Sequence, residues 1–346
     1  MKELLKAISV LGLGPLMKLK QANQLAWNEI LSGFYTTRTL QTLFNVGFFS
    51  ELQQKGAVRI EAFAAANNLD KEILSALCDS LAALSILQKQ GEEFSLDAKG
   101  RLLVEVGYGW FYGAYGYEEV FHHLEALLKK EMVYGKDITR RGDFVAVGSG
   151  EIERLIYFPL AIDIIAKRGF KKVLDFGCGD GTFLRHLCQH NPACKGYGID
   201  ISEAAIDEGR ARLKRDKLED RISLSVMDVT KIEALPEAMK DIDGATIFFV
   251  LHEVLFSGEE SLLALLRAFK KLFPKVPLIA FEACLPGPEE MRKKPGMAIQ
   301  YLLQHRLTRQ RLTSREAWTQ LFKKAGFTSI EERYLKFART SIFIIA

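Results

Sequence analysis

The stretch Val173-Leu174-Asp175-Phe176-Gly177-Cys178-Gly179-Asp180-Gly181-Thr182 constrains the fold of this chain more than any other. Apolar, strand-forming residues run straight into a turn with glycine at every second position, and a helix follows. Glycines spaced in this way let the main chain bend and approach a bound group where a Cβ would collide. From Lys171 onward, strand-like runs alternate with helical ones. Strands are expected near Lys172–Phe176, Lys195–Asp200, Ile222–Asp228, Ala245–Val250, Pro277–Ala283, Ser329–Tyr334 and Thr340–Ile345. Such alternation is the mark of a mostly parallel sheet. A short loop joins the last two runs and leaves no room for a crossover helix, so they are expected to pair antiparallel. The helix before them is bounded by Thr313 and Glu316, spaced as a capping box, and by Gly326 as its stop.

A length of 346 residues points to a second domain beside this one. The N-terminal part reads as mainly helical. Apolar residues at three- and four-residue spacing run from Gln24 through Phe44 and end at Gly47. A short strand (Val58 to Ile60), a helix (Glu61 to Ala66), a turn at Asn67-Asn68 and a helix (Lys71 to Leu84) follow. The stretch from Ile86 to Leu96 then reads as a hairpin around Gly91. Together these make a winged helix. In a DNA reader the second of the two helices would enter the major groove, but here it is apolar, slightly acidic and nearly without donors after Lys71. Nucleic acid is therefore not the expected partner. A formal net charge of +4, with basic and acidic residues interspersed, marks neither a nucleic-acid stripe nor a membrane surface, so a small molecule is expected. Met1 to Lys20 contains an apolar stretch, but Lys6 interrupts it and no cleavage site follows, so it reads as a helix of a cytoplasmic protein. The five cysteines form an odd, uneven set suited to reduced thiols. His186, Cys188, His190 and Cys194 crowd one segment without the spacing of a zinc site.

Two more acids stand at strand ends after the glycine turn. Asp200 closes Tyr197-Gly198-Ile199-Asp200, at the separation where a carboxylate can accept both hydroxyls of a ribose. Asp228 closes Val226-Met227-Asp228, where it can meet an adenine amino group. This set resembles the class I S-adenosylmethionine-dependent methyltransferases. The resemblance implies a Rossmann-like seven-stranded α/β sheet with an antiparallel last strand. It also implies a cofactor site in which Asp175 supports the methionine end, Gly177, Gly179 and Gly181 pass beneath it, Asp200 with Ile201 holds the ribose, and Asp228 with Val229 meets adenine. A nucleotide dehydrogenase is the competing reading. The Asp before the first glycine, the Gly-x-Gly-x-Gly spacing and the final hairpin disfavour it.

The resemblance extends to the small-molecule O-methyltransferase superfamily, in which an N-terminal winged-helix-like dimerisation domain precedes the catalytic domain. On that plan residues 1–105 form the dimerisation domain, 106–150 an aromatic-rich helical connector to the substrate pocket, and 151–346 the cofactor-binding domain. A homodimer is implied. After the fourth strand comes Leu251-His252-Glu253-Val254, where the O-methyltransferases have Leu-His-Asp-Trp with the His as general base. This chain keeps the His but departs at the next two positions. His252-Glu253 with the later His305 is similar instead to the metal-dependent α-keto acid C-methyltransferases. That likeness implies a divalent metal, iron or zinc, on His252, His305 and Glu253, where it would stabilise the enolate of a keto acid. The alternatives are a metal-free O-methyltransferase with His252 as base, a C-methyltransferase of isoprenyl diphosphates, and a partner subunit that binds cofactor without catalysis. Tyr108, Tyr112 and Tyr115 are candidates for the substrate wall, and Arg140 for the group that holds a substrate carboxylate.

Overall fold

The computed structural model describes residues 27–293 and 298–346, together with Val10, Leu13, Gly14, Met17, Lys18 and Gln21. The expected helix over Met1 to Lys20 lies mostly outside the described residues, as does Gln24, the expected start of the following helix. The chain divides into two compact units, Met1–Tyr115 and Gly116–Ala346.

In the first unit, α1 (Trp27–Asn45) and α2 (Phe48–Lys55) lead into β1 (Ala57–Arg59), α3 (Ile60–Ala66) and α4 (Lys71–Ala83). The hairpin β2 (Leu87–Gln90) and β3 (Glu93–Leu96) follows, and α5 (Ala98–Tyr115) ends the unit. Asp70 starts α4 by accepting the Ile73 N–H at 2.9 Å. Gly91 turns the hairpin at a φ of 63°, and β3 pairs antiparallel with both β2 and β1. The expected helix, helix and hairpin of a winged helix are all present. Leu43, Phe48, Phe49, Leu81 and Phe94 lose their solvent contact in the core of this unit. Each such burial stabilises the fold by about 1.5–3 kcal/mol.

The second unit opens with α6 (Glu118–His122), α7 (Leu124–Leu128) and the long α8 (Gly142–Arg168). Strands and helices then alternate: β4 (Lys172–Phe176), α9 (Thr182–His190), β5 (Lys195–Asp200), α10 (Glu203–Asp216), β6 (Ile222–Val226) and β7 (Gly244–Phe248). After α11 (Leu251–Phe256) and α12 (Glu259–Leu272) comes β8 (Leu278–Ala283). The chain closes with α13 (Pro288–Lys293), α14 (Ala298–Leu307), α15 (Arg315–Lys324), β9 (Ile330–Leu335) and β10 (Thr340–Ile345). The seven-stranded sheet has the order β6-β5-β4-β7-β8-β10-β9. β4 to β8 pair parallel, and β10 inserts antiparallel between β8 and β9. The expected α/β sheet with its antiparallel last strand is thus observed.

Strands covered on both faces need apolar residues at consecutive positions, and β7 and β10 are buried throughout. One face packs Phe176, Leu266, Phe269 and Trp318; the other packs Phe158, Phe183, Leu187 and Phe281. At the open edge β9 alternates in burial and carries Glu331, Glu332 and Arg333, charges that discourage pairing with another strand. The cap of α15 differs by one residue from the sequence expectation. Ser314 accepts the Ala317 N–H at 3.2 Å, because Thr313 is held in a bridge with Cys284 and gives its carbonyl to the Leu285 N–H at 2.9 Å. All five cysteines are free and buried. No helix among the described residues is long and apolar enough to cross a membrane.

Candidate active site

The carboxyl ends of the parallel strands carry the acids that the sequence singles out. Asp175, near the end of β4, is 2% exposed and accepts the Thr246 hydroxyl at 2.7 Å from its register partner on β7. Burial pushes its carboxyl up to about 8, against the lowering effect of the Thr246 bond. The glycine turn begins at Gly177, where φ is 74° and an added Cβ would come within 2.6 Å of Val250 Cγ2. At Gly179 φ is 54° and an added Cβ would meet nothing within 4 Å, so the turn leaves open space on that side. Gly181, also left-handed, begins α9.

Asp200 is half-buried at the end of β5. Its Oδ2 accepts the Gly179 N–H and its Oδ1 the Ser202 N–H, each at 2.8 Å, which ties the second strand end to the turn after the first. Ile201 beside it is 73% exposed. Asp228 is half-buried and begins a short 3₁₀ turn by accepting the Thr230 N–H at 2.9 Å and hydroxyl at 2.7 Å. The N–H bond leads in holding its carboxyl below the usual range. Val229 packs at the edge of the core.

The second group of residues follows β7. Phe249 takes the left-handed conformation at a φ of 55°, uncommon for an aromatic residue, and α11 starts two residues later. His252 on α11 is 2% exposed. Its Nδ1 lies 2.9 Å from Glu282 Oε2, and its backbone N–H donates to Glu282 Oε1 at 3.3 Å. His305 on α14 is 3% exposed, with Nδ1 2.7 Å from the Tyr301 carbonyl, and its ring lies 5.2 Å from that of His252. A carbonyl and a carboxylate only accept, so both imidazoles donate from Nδ1, and Nε2 is the ring nitrogen not engaged in these bonds. Burial, and next the neighbouring His252, push His305 down to about 3, so its neutral form persists. The arrangement can take a proton at an Nε2 or present two nitrogen ligands to a cation.

Glu253 departs from the expected ligand set. Its Oε1 accepts from Arg140 Nη2 at 2.9 Å and from Gln310 Nε2 at 2.6 Å, so one of its two carboxylate oxygens is engaged in an ion pair. Among the described residues no three His, Cys, Asp or Glu side chains come together in a group fit to hold a metal ion. Arg140 also reaches the Tyr117 hydroxyl at 3.4 Å. Tyr108, Tyr112 and Tyr115 all lie on α5. Tyr108 packs on Phe44 and Tyr112 at centroid distances of 5.0 and 4.9 Å, and Arg38 lies over the Tyr115 ring at 5.9 Å. Sequence reasoning missed Glu282, Thr246, Tyr301 and Gln310. Only Glu282 left a signal, an acid inside the otherwise apolar run Leu278–Ala283.

The strand order, the antiparallel β10 and a glycine turn flanked by acids at the strand ends define a class I methyltransferase fold. The family model described as a methyltransferase domain matches residues 150–332, more than half of the chain. The chain belongs to this family and is an S-adenosylmethionine-dependent methyltransferase. It is 29% identical over 308 residues to the 2-ketoarginine methyltransferase of Streptomyces arginensis, covering 87% of this chain and 88% of that protein. The solved structure of the mitomycin 7-O-methyltransferase MmcR superposes with a TM-score of 0.69 at 18% identity, over 95% of this chain and 99% of that one. Human N-acetylserotonin methyltransferase in complex with S-adenosylmethionine gives 0.67 at 19% identity, over 94% and 97%. At these identities the two structures share the fold.

Proposed function

We propose that this methyltransferase acts on a small molecule and transfers the methyl group of S-adenosylmethionine to the β carbon of an α-keto acid, which gives up a proton to water on enolisation while S-adenosylhomocysteine leaves. The reading is carried by one observation: two buried, adjacent imidazoles each donate from Nδ1 to a fixed acceptor, which leaves both Nε2 atoms for a ligand. The name of the Streptomyces arginensis relative, which specifies a keto acid, points the same way.

S-adenosylmethionine fits the strand ends because the glycine turn is open at Gly179 and because each Asp200 oxygen, with one backbone donor, keeps a lone pair for a ribose hydroxyl. In this reading Asp175 supports the methionine end, and Asp228 with Val229 lies by the adenine. A divalent metal, iron or zinc, fits the donor set in that both histidines have the partner on Nδ1 that metal-bound imidazoles usually have. His252 and His305 would hold it, with Glu253 left to Arg140. Bound there, it would supply Lewis-acid stabilisation of an enolate. The chain's own groups do the rest. Glu282 and the Tyr301 carbonyl fix the tautomers, and Arg140, which acts electrostatically on His305, offers its remaining N–H donors to the acceptor's carboxylate.

The His252–Glu282 pair favours one further reading, metal-free O-methylation. There His252 Nε2 takes the proton of an acceptor hydroxyl, and Glu282 stabilises the imidazolium that forms. The two are separated by metal analysis of protein purified without chelator, alongside His305→Ala. Stoichiometric metal that disappears in the variant is the expected result. Full activity of a metal-free His305→Ala enzyme overturns the metal reading. Incubation with methyl-labelled cofactor and a panel of keto acids and phenols, read by mass, identifies the acceptor class.

A homodimer formed through the N-terminal unit belongs to the same reading. Ile30, Phe34 and Tyr35 on α1 are 72%, 63% and 67% exposed, an apolar surface suited to a second copy. Sedimentation of the full chain tests it.

A further inference from the structure

Among the charged side chains around these strand ends, nearly all have a partner. Asp175 has Thr246, Asp200 has two backbone N–H groups, Asp228 has Thr230, Glu282 has His252, and Glu253 has Arg140. Glu153 on α8 is the exception. Its carboxylate makes no hydrogen bond or ion pair with any described residue. A half-buried acid left in this state costs free energy unless a ligand completes it.

Its place in the fold is well defined. Tyr157, one turn further along α8, donates to or accepts from Thr340 Oγ1 at 2.8 Å and packs on Phe249 and Phe281 at 4.9 and 5.9 Å. These contacts set this face of α8 over the carboxyl ends of β7 and β8. Glu153 is within electrostatic range of Asp175 on the cofactor side and of Tyr157 and Tyr301 on the side of the histidines. Tyr301 in turn packs against His305, with ring centroids 3.9 Å apart and planes tilted by 43°. One turn before Glu153 stand Ser149 and Gly150, and a Cβ added at Gly150 would meet nothing within 4 Å. Side chains on a helix lean toward its N-terminus, so the open space at Gly150 adjoins the turn over which the Glu153 side chain leans. Surrounding protein also pushes its carboxyl up to about 8, chiefly by burial and next by Asp175, a cost that a cation would relieve.

We infer that Glu153 is a specificity-determining residue: its carboxylate receives the N–H donors of a guanidinium or ammonium group at the far end of the acceptor. This rests on the reading of the acceptor as an α-keto acid whose acid end goes to Arg140 and the histidines. The acceptor then carries opposite charges at its two ends. A guanidinium matches a carboxylate with two parallel hydrogen bonds, and a neutral tail of the same shape leaves the acid unpaired.

The test uses two straight-chain α-keto acids of equal length, one ending in guanidinium and one in the neutral, near-isosteric urea. Their binding to the full chain loaded with S-adenosylhomocysteine is measured by calorimetry for the wild type, Glu153→Gln and Glu153→Asp. Methyl transfer to each is followed in parallel. The wild type is expected to bind the guanidinium compound at least about tenfold more tightly. Glu153→Gln should erase that preference without changing the affinity for S-adenosylhomocysteine, and Glu153→Asp should restore part of it. Equal binding of both compounds by the wild type overturns the inference, as does a preference that survives Glu153→Gln. A loss of nucleoside affinity in Glu153→Gln overturns it too, because the acid then serves the cofactor's own ammonium. The binding preference without methyl transfer to either compound supports Glu153 as the cation site and retires the keto acid reading instead.

Discussion

Glu282 and His252 are joined twice: one carboxylate oxygen accepts the His252 backbone N–H at 3.3 Å and the other the ring Nδ1–H at 2.9 Å. Neither side chain is more than 3% exposed. The ring therefore has one tautomer and one orientation, set by a residue on β8 and not by its own helix. Glu282→Gln keeps the shape of that contact but replaces a charged acceptor with a neutral amide. The variant is expected to fold and to lose about 10- to 100-fold in kcat/KM, the usual cost of removing the group that orients a functional imidazole. Steady-state kinetics with a circular-dichroism control check this, and a wild-type rate would show that Glu282 has no part in positioning.

Asp175 and Glu153 set a pH dependence of stability. Burial raises both carboxyls, from 3.8 and 4.5, to about 8. The folded state then binds protons more tightly than the unfolded one. Their contribution is complete below the unfolded values and is lost as pH climbs toward about 8. Ligand-free protein should show a falling urea midpoint over that interval. Asp175→Asn should flatten the fall, because the amide stays neutral throughout and can still accept from Thr246. At neutral pH the same variant is expected to melt close to the wild type and to bind S-adenosylmethionine at least about tenfold more weakly, because the bound cofactor's ammonium favours the ionised form of Asp175 and an amide cannot supply that charge. An unaltered slope with unaltered binding would sink both roles.

Gly177 combines a left-handed φ of 74° with a gap too small for a methyl group against Val250. Gly177→Ala is expected to cost about 1–2 kcal/mol for the conformation alone, and more for the collision. Adding Val250→Ala relieves only the second part. Denaturant melts of the single and double variants give the two contributions, and failure of the second change to recover any stability would place the strain elsewhere.

Local pattern carried the sheet and the acids at its strand ends. Each parallel strand is a short run bounded by glycine or an acid, continuous and apolar in β4 and alternating in β6, and Asp175, Asp200 and Asp228 stand at or just past the strand ends. The cap of α15 was less legible. Thr313 and Ser314 are both competent caps, and only the bridge to Cys284, formed across the fold, decides between them. The ion pair of Arg140 with Glu253 spans 113 positions, and nothing near either residue announces the other. Glu253 read as a ligand because it follows His252, yet on a helix consecutive side chains point about 100° apart, and here Glu253 faces Arg140. The aromatic run on α5 was ambiguous for another reason: rings that could wall a pocket also serve a core, and Tyr108 packs on Phe44.

Tyr301 holds His305 by two separate means, its carbonyl on Nδ1 and its ring against the imidazole face at 3.9 Å. The hydroxyl takes part in neither, and burial pushes it well above the ordinary tyrosine range, so it stays a neutral phenol. Tyr301→Phe removes only that hydroxyl and is expected to keep kcat/KM within about threefold of wild type, a change of under ~1 kcal/mol. Tyr301→Ala keeps the carbonyl but strips the ring, which frees the imidazole to tilt away from His252. A positional error of this kind costs about 100-fold in rate when a reacting group is held too loosely. The comparison therefore asks whether ring packing or hydroxyl chemistry sustains the histidine pair. Equal losses in the phenylalanine and alanine variants would assign the work to the hydroxyl, and the orientation described for His305 would then be wrong.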